Sequence, residues 1–483
     1  MTDSGAKGLV KNLNIWEAIG ISVALMAPSM AANINPQGTA TTVGRAVPVA
    51  FALATIGVLL VAYGFVRLTQ NFHHAGSVYG FVGATTGPRS GVVAGWGLIG
   101  TYIFYGCVTS MAAGIFGAKF LDEIGLWNNQ PDTAGFLVGA IALVLAYFLA
   151  IVPARNGTRL LLTVEAVTVV LILITAFIVL SKLIGGTAPG GLGVDWSVFS
   201  IPKGTGGSTV FLGVVFGFLS FAGFEAAATL GEEAKNPRKD IPRAMLGTAI
   251  FGGIYFVFVT AVEVMGFGTS DAGVKAFISS GSLMGDLGTT YIGSWIGTII
   301  TLGAAVSAFG CALACVVGAS RMLFAIGRDS GSSALSSISA KNGTPTAATR
   351  MIVGAVALII ILWALIGNAK PFDIFLGSGV IGTLILVAVY VLATIGAVKF
   401  LFFSGVKRAA SWEIIIPIAG LIVLIYTLYR NVIPFPASGA ARMYPIVSAI
   451  WLLAGLVAVW ARPAFTKKLG EKLLADENLS AAR

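Results

Sequence analysis

One feature governs what this chain can fold into. Apolar stretches long enough to cross a bilayer, about 17 to 25 residues each, follow one another with short polar breaks between them. A helix that is apolar on every side has no face for water and must be surrounded by protein or lipid. Twelve such spans can be drawn, at residues 15–43, 47–68, 91–120, 134–152, 160–183, 209–231, 244–267, 295–326, 351–366, 372–400, 412–428 and 444–460. Only 10% of the 483 residues are charged, against roughly 25% in a soluble domain. That scarcity excludes an ordinary cytosolic enzyme and a disordered chain. The net charge of +10 is spread along the whole length rather than clustered, which excludes a nucleic-acid binder. Cys107, Cys311 and Cys315 all fall in apolar runs and read as packed, reduced thiols.

The basic residues set the orientation. With the N-terminus inside, the outer loops hold eight of the 30 Lys and Arg (Arg45, Lys119, Lys182, Lys203, Lys275, Lys370, Arg430 and Arg442), and the other 22 fall on the inner side. The positive-inside rule then predicts an even number of spans with both termini cytoplasmic, in a multi-pass protein of the cell membrane, plasma or inner. Residues 1–13 form a polar cytoplasmic arm with no signal peptide, and 463–483 a cytoplasmic tail.

Two spans are predicted to be broken. Span 1 carries Ala27-Pro28-Ser29-Met30 near its middle, with Asn33, Asn35 and Pro36 just beyond. Proline lacks an amide hydrogen and clashes with the preceding turn. Span 6 carries Phe221-Ala222-Gly223-Phe224-Glu225, roughly 195 residues further on. Helix ends inside a bilayer must face protein or a watery cavity. Two interruptions at that separation suggest one element repeated in two inverted halves, 14–184 and 208–401, followed by two further spans within 411–462.

The span 6 residues continue as Gly231-Glu232-Glu233-Ala234-Lys235-Asn236-Pro237-Arg238-Lys239-Asp240-Ile241-Pro242-Arg243-Ala244. This stretch resembles the hallmark of the amino acid–polyamine–organocation (APC) superfamily. The end of span 8, Arg321 to Asp329, and the Ala75-Gly76-Ser77-Val78-Tyr79 approach to span 3 are similar to the family's motifs as well. The resemblance implies an all-α fold with about 12 spans, a five-plus-five inverted repeat (LeuT-like) and two C-terminal helices. It implies alternating access around a site between spans 1, 3, 6, 8 and 10. Amino acids, polyamines or related amines would be the substrates, often with a proton or a sodium ion.

Free amides at a half-helix N-terminus favour an anion, and unwound carbonyls favour a cation. The substrate site is therefore expected at Ala27, Pro28, Ser29, Met30, Phe221, Ala222, Gly223, Phe224 and Glu225, with Tyr102 of span 3 beside it. In the family a Gly-rich break supplies amides to the substrate carboxylate. Here Pro28 removes one donor, while Ser29 and Met30 retain theirs, so an amine without a carboxylate stays open beside an amino acid. Glu225 would bind an ammonium group or carry a coupling proton, although relatives that carry neutral amino acids also have an acid there. On α-helical spacing Thr229 and Glu232 share its face.

Glu165 and Thr168 of span 5 and Ser307 and Cys311 of span 8 are candidates for ion coupling. Span 5 has no lysine, so the lysine-based proton mechanism of some relatives does not carry over. Glu17 and Arg321 are candidates for a cytoplasmic gate. Glu263 reads as an exposed acid near the outer end of span 7. His73 and His74 are adjacent and do not converge on a metal, and neither a metal nor a cofactor is expected. The leading expectation is a secondary transporter and not an enzyme. A transporter-fold sensor, or a channel without ion coupling, is the alternative.

Overall fold

A computed structural model describes residues 15–72, 78–152, 155–230, 235–339, 344–406, 408–436 and 439–476. The polar arm at 1–13, both histidines, residues 231–234 with Glu232, and the side chains of Glu17 and Thr229 lie outside the described residues. The described chain is helical, and each of the twelve expected segments falls on helix. Among the described residues ten helical stretches are long and apolar enough to cross a membrane, and the Ala134–Ala150 helix is shorter. Several helices run past the apolar windows that mark them. Span 5 is Arg155–Ile184, span 7 is Pro237–Phe267 and span 8 is Ser294–Asp329. Proline opens span 7, span 3 (Pro88–Glu123) and span 10 (Pro371–Phe402) at the first helical position, where its missing amide leaves no bond unmade.

Glycine explains how the spans approach. In a bilayer, packing cannot rely on a hydrophobic contrast between helix and lipid, so small residues let backbones touch. A Cβ on Gly139 of span 4 would stand 2.7 Å from the Ser110 carbonyl oxygen of span 3. Spans 3 and 12 close on a stacked pair, Trp96 and Trp451, with ring centroids 4.6 Å apart. Each indole donates to the other residue's carbonyl, at 2.8 and 3.0 Å.

Spans 3 and 10 bury most of their length, whereas Leu137, Ile141 and Phe148 of span 4, Leu358 of span 9, Ile422 of span 11 and Leu453 of span 12 are exposed. That outer apolar belt faces lipid. The expected C-terminal tail is partly structured. Its Pro463–Asp476 helix buries Leu469, Leu473 and Leu474, and Arg89 Nε donates to the Pro463 carbonyl at 3.0 Å.

Both breaks are present. Span 1 is Ile15–Met26 followed by Pro28–Val43, with Ala27 between them in the left-handed region at φ 47°. Span 6 is an α-helix over Val210–Phe221, an extended Ala222, Gly223 at φ 103°, then a 3-10 helix over Phe224–Leu230. The tighter helix corrects one expectation. A 3-10 helix turns every three residues, so the α-helical spacing that put Thr229 on the face of Glu225 does not apply, and Glu232 lies outside the described residues.

Candidate functional site

The two breaks meet. A Cβ on Gly223 would stand 3.1 Å from the Leu25 carbonyl carbon, so the unwound part of span 6 lies directly on the end of the first half of span 1. Only glycine suits this position, because its φ is positive and its neighbour is backbone. Beside the junction is a cavity of about 420 Å³, lined mainly by residues of spans 1, 3, 6 and 8. Leu25 and Met30 come from span 1, Tyr102 and Tyr105 from span 3, Gly223 and Glu225 from span 6. Cys311, Cys315 and Gly318 supply the span 8 wall, and the cavity continues past them to Arg321, Val78 and Tyr79. Its surface is predominantly apolar, with Glu225 the acid upon it.

The free amides at the breaks do not point into an empty anion site. The Ser29 amide donates to Glu165 Oε1 at 2.8 Å, and the Met30 amide donates to Ser307 Oγ at 3.2 Å. At the other break the Gly223 amide donates to Glu225 Oε2 at 3.2 Å. Each helix end thus has an acceptor from the protein itself, which answers the demand that buried backbone donors be paired. The carbonyl side is occupied as well. Tyr255 of span 7 donates its hydroxyl to the Pro28 carbonyl at 3.4 Å, and Cys311 Sγ approaches the Leu25 carbonyl at 3.8 Å.

A model of the amino acid permease family matches residues 15–468. The chain belongs to that family. The APC resemblance read from the span 6 loop is therefore correct, and the permease is a multi-pass protein of the cell membrane. Among its relatives is the branched-chain amino acid permease BcaP of Bacillus subtilis, 26% identical over 400 residues, 79% of each chain. The low-affinity putrescine importer PlaP of Escherichia coli K12 is 26% identical over 375 residues, 74% of this chain and 76% of that one. A crystal structure of the Eremococcus coleocola manganese transporter superposes with a TM-score of 0.56, covering 97% of this chain and 100% of that one at 12% identity. At that identity the likeness concerns the fold, which is LeuT-like.

Of the permease's expected substrate residues, Met30, Tyr102, Ala222, Gly223 and Glu225 line the cavity, and so do Cys311 and Arg321. Ala27, Pro28 and Ser29 do not. Phe221 and Phe224 are also absent from the lining and are at most 1% exposed. Phe221 lies edge-on to Phe256 of span 7, with centroids 5.5 Å apart, and Phe224 lies edge-on to Phe65 of span 2 at 6.0 Å. Their rings pack around the break rather than line the cavity. Glu165 and Ser307 come together behind the break. Thr168 is turned back on its own helix, donating to the Val164 carbonyl at 2.8 Å.

Among the cavity residues not expected from the sequence are Thr101, Thr109, Cys315 and Leu386. Thr101, Tyr105 and Thr109 recur every four residues, a helical stripe that marks one face of span 3. Asn33 lies just beyond the break. It is fully buried, its Nδ2 donates to the Ser29 carbonyl at 2.8 Å, and its Oδ1 accepts from Ser282 Oγ at 2.8 Å and from the Met284 amide at 2.9 Å. The second half of span 1 is thereby tied to the Leu283–Tyr291 helix.

Glu263 requires a correction. It is not an exposed interfacial acid but 0% exposed, and neither carboxylate oxygen has a hydrogen-bond partner among the described residues. The expectation relied on distance from the span's end, and the Asp271–Ser279 and Leu283–Tyr291 helices pack over that end instead of leaving it open.

Proposed function

We propose that this permease is a secondary transporter that moves amino acids or related amines by alternating access between two inverted five-span halves, 14–184 and 208–401. Transport would be coupled to an ion or proceed by exchange. The observation that carries this reading is the cavity at the junction of the two breaks, with Glu225 on its wall. Its volume of about 420 Å³ lies in the range of small-molecule sites. An acid beside tyrosine rings suits an ammonium group by charge and by cation–π contact.

Within that class the geometry favours an amine that has no carboxylate. The Ser29 and Met30 amides, the donors a substrate carboxylate would need, already meet Glu165 and Ser307. Arg321 is a poor substitute. It lies ten residues along span 8 from Cys311, which touches the break, and ten helical residues span about 15 Å.

The test is uptake of radiolabelled putrescine and L-isoleucine into liposomes holding the purified permease. Saturable uptake that follows an imposed gradient supports a carrier. Rapid flux without saturation supports a channel and overturns the proposal. Competition by putrescine but not by L-isoleucine supports the amine reading, and the reverse order removes it.

A further inference from the structure

Glu263 is an acid that the transport cavity does not use. Spans 5 and 7 are held together at two levels on either side of it. At the first, Glu165 of span 5 accepts from the Ser29 amide while Tyr255 of span 7 donates to the adjoining Pro28 carbonyl. At the second, Val179 Cγ1 of span 5 lies 3.2 Å from where a Cβ on Gly266 of span 7 would stand. Residue numbers rise in the same direction on both spans, so the two helices run parallel.

One turn back from the second level is Thr175 on span 5 and Glu263 on span 7. Residues three or four apart share a helix face, so the two residues lie at a similar depth on the sides that spans 5 and 7 turn toward each other. Both are 0% exposed, and among the described residues neither the Thr175 hydroxyl nor either Glu263 oxygen has a hydrogen-bond partner. Two unsatisfied polar groups at one depth inside a membrane protein call for a missing partner.

We propose that Glu263, facing Thr175, is a proton-binding site of the transport cycle, a reading that rests on the permease function proposed above. A buried carboxylate without a partner is strongly disfavoured, whereas a carboxylic acid carries its own donor, which the Thr175 hydroxyl oxygen can accept. A metal cation fits less well, because it needs about six oxygen ligands and this pair offers three. The other titratable groups on the elements around span 7 are engaged or belong to the first level. Lys182 of span 5 donates to the Tyr291 carbonyl, and Tyr291 donates to the Gly266 carbonyl at 3.0 Å. Asp286 pairs with Lys119, and Asp195 accepts from Thr269 at 2.6 Å. Glu165 and Glu225 are bonded to amides of the breaks, and Tyr255 to the Pro28 carbonyl. Arg67 of span 2 pairs with Glu413, while Lys275 and Asp271 sit on the Asp271–Ser279 helix that covers the site. From Glu263, span 7 leads two turns along one face to Tyr255 and so to the break.

Two measurements test the proposal. Infrared difference spectra of the purified protein should show the band of a protonated carboxylic acid that is lost in Glu263→Gln and shifted in Thr175→Val. In liposomes, Glu263→Gln should abolish accumulation of putrescine or L-isoleucine driven by a pH gradient while leaving counterflow exchange within about twofold of wild type. An acid band that persists in Glu263→Gln overturns the site, as does gradient-driven accumulation at the wild-type level. Loss of counterflow together with accumulation assigns Glu263 a structural role and also overturns it. If the wild-type protein transports neither probe, the substrate reading proposed above fails, while the infrared band still reports on Glu263.

Discussion

The Ser29 amide donates to the Glu165 carboxylate at 2.8 Å, and this bond joins the break in span 1 to span 5. It places an acid of the protein where the helix end would otherwise wait for an anion. Glu165→Gln keeps an acceptor oxygen and should lower the melting temperature little. Glu165→Ala leaves a buried amide unpaired, a loss of about 1–3 kcal/mol, and should lower it clearly. If the free amide then serves a substrate, L-isoleucine should protect the Ala variant against thermal unfolding more than it protects wild type. Equal melting of the two variants would show that the bond contributes nothing.

Glu225 is the acid on the cavity wall, and one of its oxygens already accepts from the Gly223 amide. Glu225→Gln retains that acceptor and removes the charge. Uptake should fall by about tenfold or more, the equivalent of losing one charge-assisted hydrogen bond, while the variant inserts and melts like wild type. Unchanged uptake by a stable variant would take Glu225 out of the mechanism.

Gly223 is constrained twice, by φ 103° and by the Leu25 backbone 3.1 Å from its would-be Cβ. Gly223→Ala should cost roughly 1–3 kcal/mol and displace the first half of span 1. Both the melting temperature and uptake should drop. Glycine replacement elsewhere, at Gly354 where a Cβ meets nothing within 4 Å, provides the control and should leave uptake unchanged.

Asp195 lies in the loop after span 5, and its carboxyl is held below its ordinary range by hydrogen bonds from Thr269 and from Ser197. A lowered folded value means that the contribution to stability is present above the unfolded value, about 4, and disappears as pH falls through the folded one. Asp195→Asn should therefore melt below wild type at neutral pH, with the gap closing on acidification below about pH 4. Melting curves across pH measure this, and a gap that widens in acid would contradict the assignment.

Much of the fold was legible because membrane helices write themselves as apolar length. The bounds were less so. Span 7 begins at Pro237 inside a charged stretch that hydropathy treats as loop. Both breaks were legible at Pro28 and Gly223, since each alters what the backbone can do at its own position. The direction of Phe221 and Phe224 was not legible, for a related reason. Proximity to Gly223 in the chain says nothing of direction, and Phe221 and Phe224 turn to Phe256 and Phe65.

What the sequence by itself determined is therefore local: where helices run, where they must stop, and a loop motif specific enough to name the family. The tertiary structure alone decided which groups answer the unpaired ones. Ser29 and Glu165 are 136 residues apart, and no periodicity in either span announces that they meet. Glu263 carries the same lesson in reverse, because its burial follows from helices packed over the end of span 7 rather than from its own neighbours in the chain. A backbone break is a property of one residue's chemistry, whereas the partner of a buried polar group is a property of space.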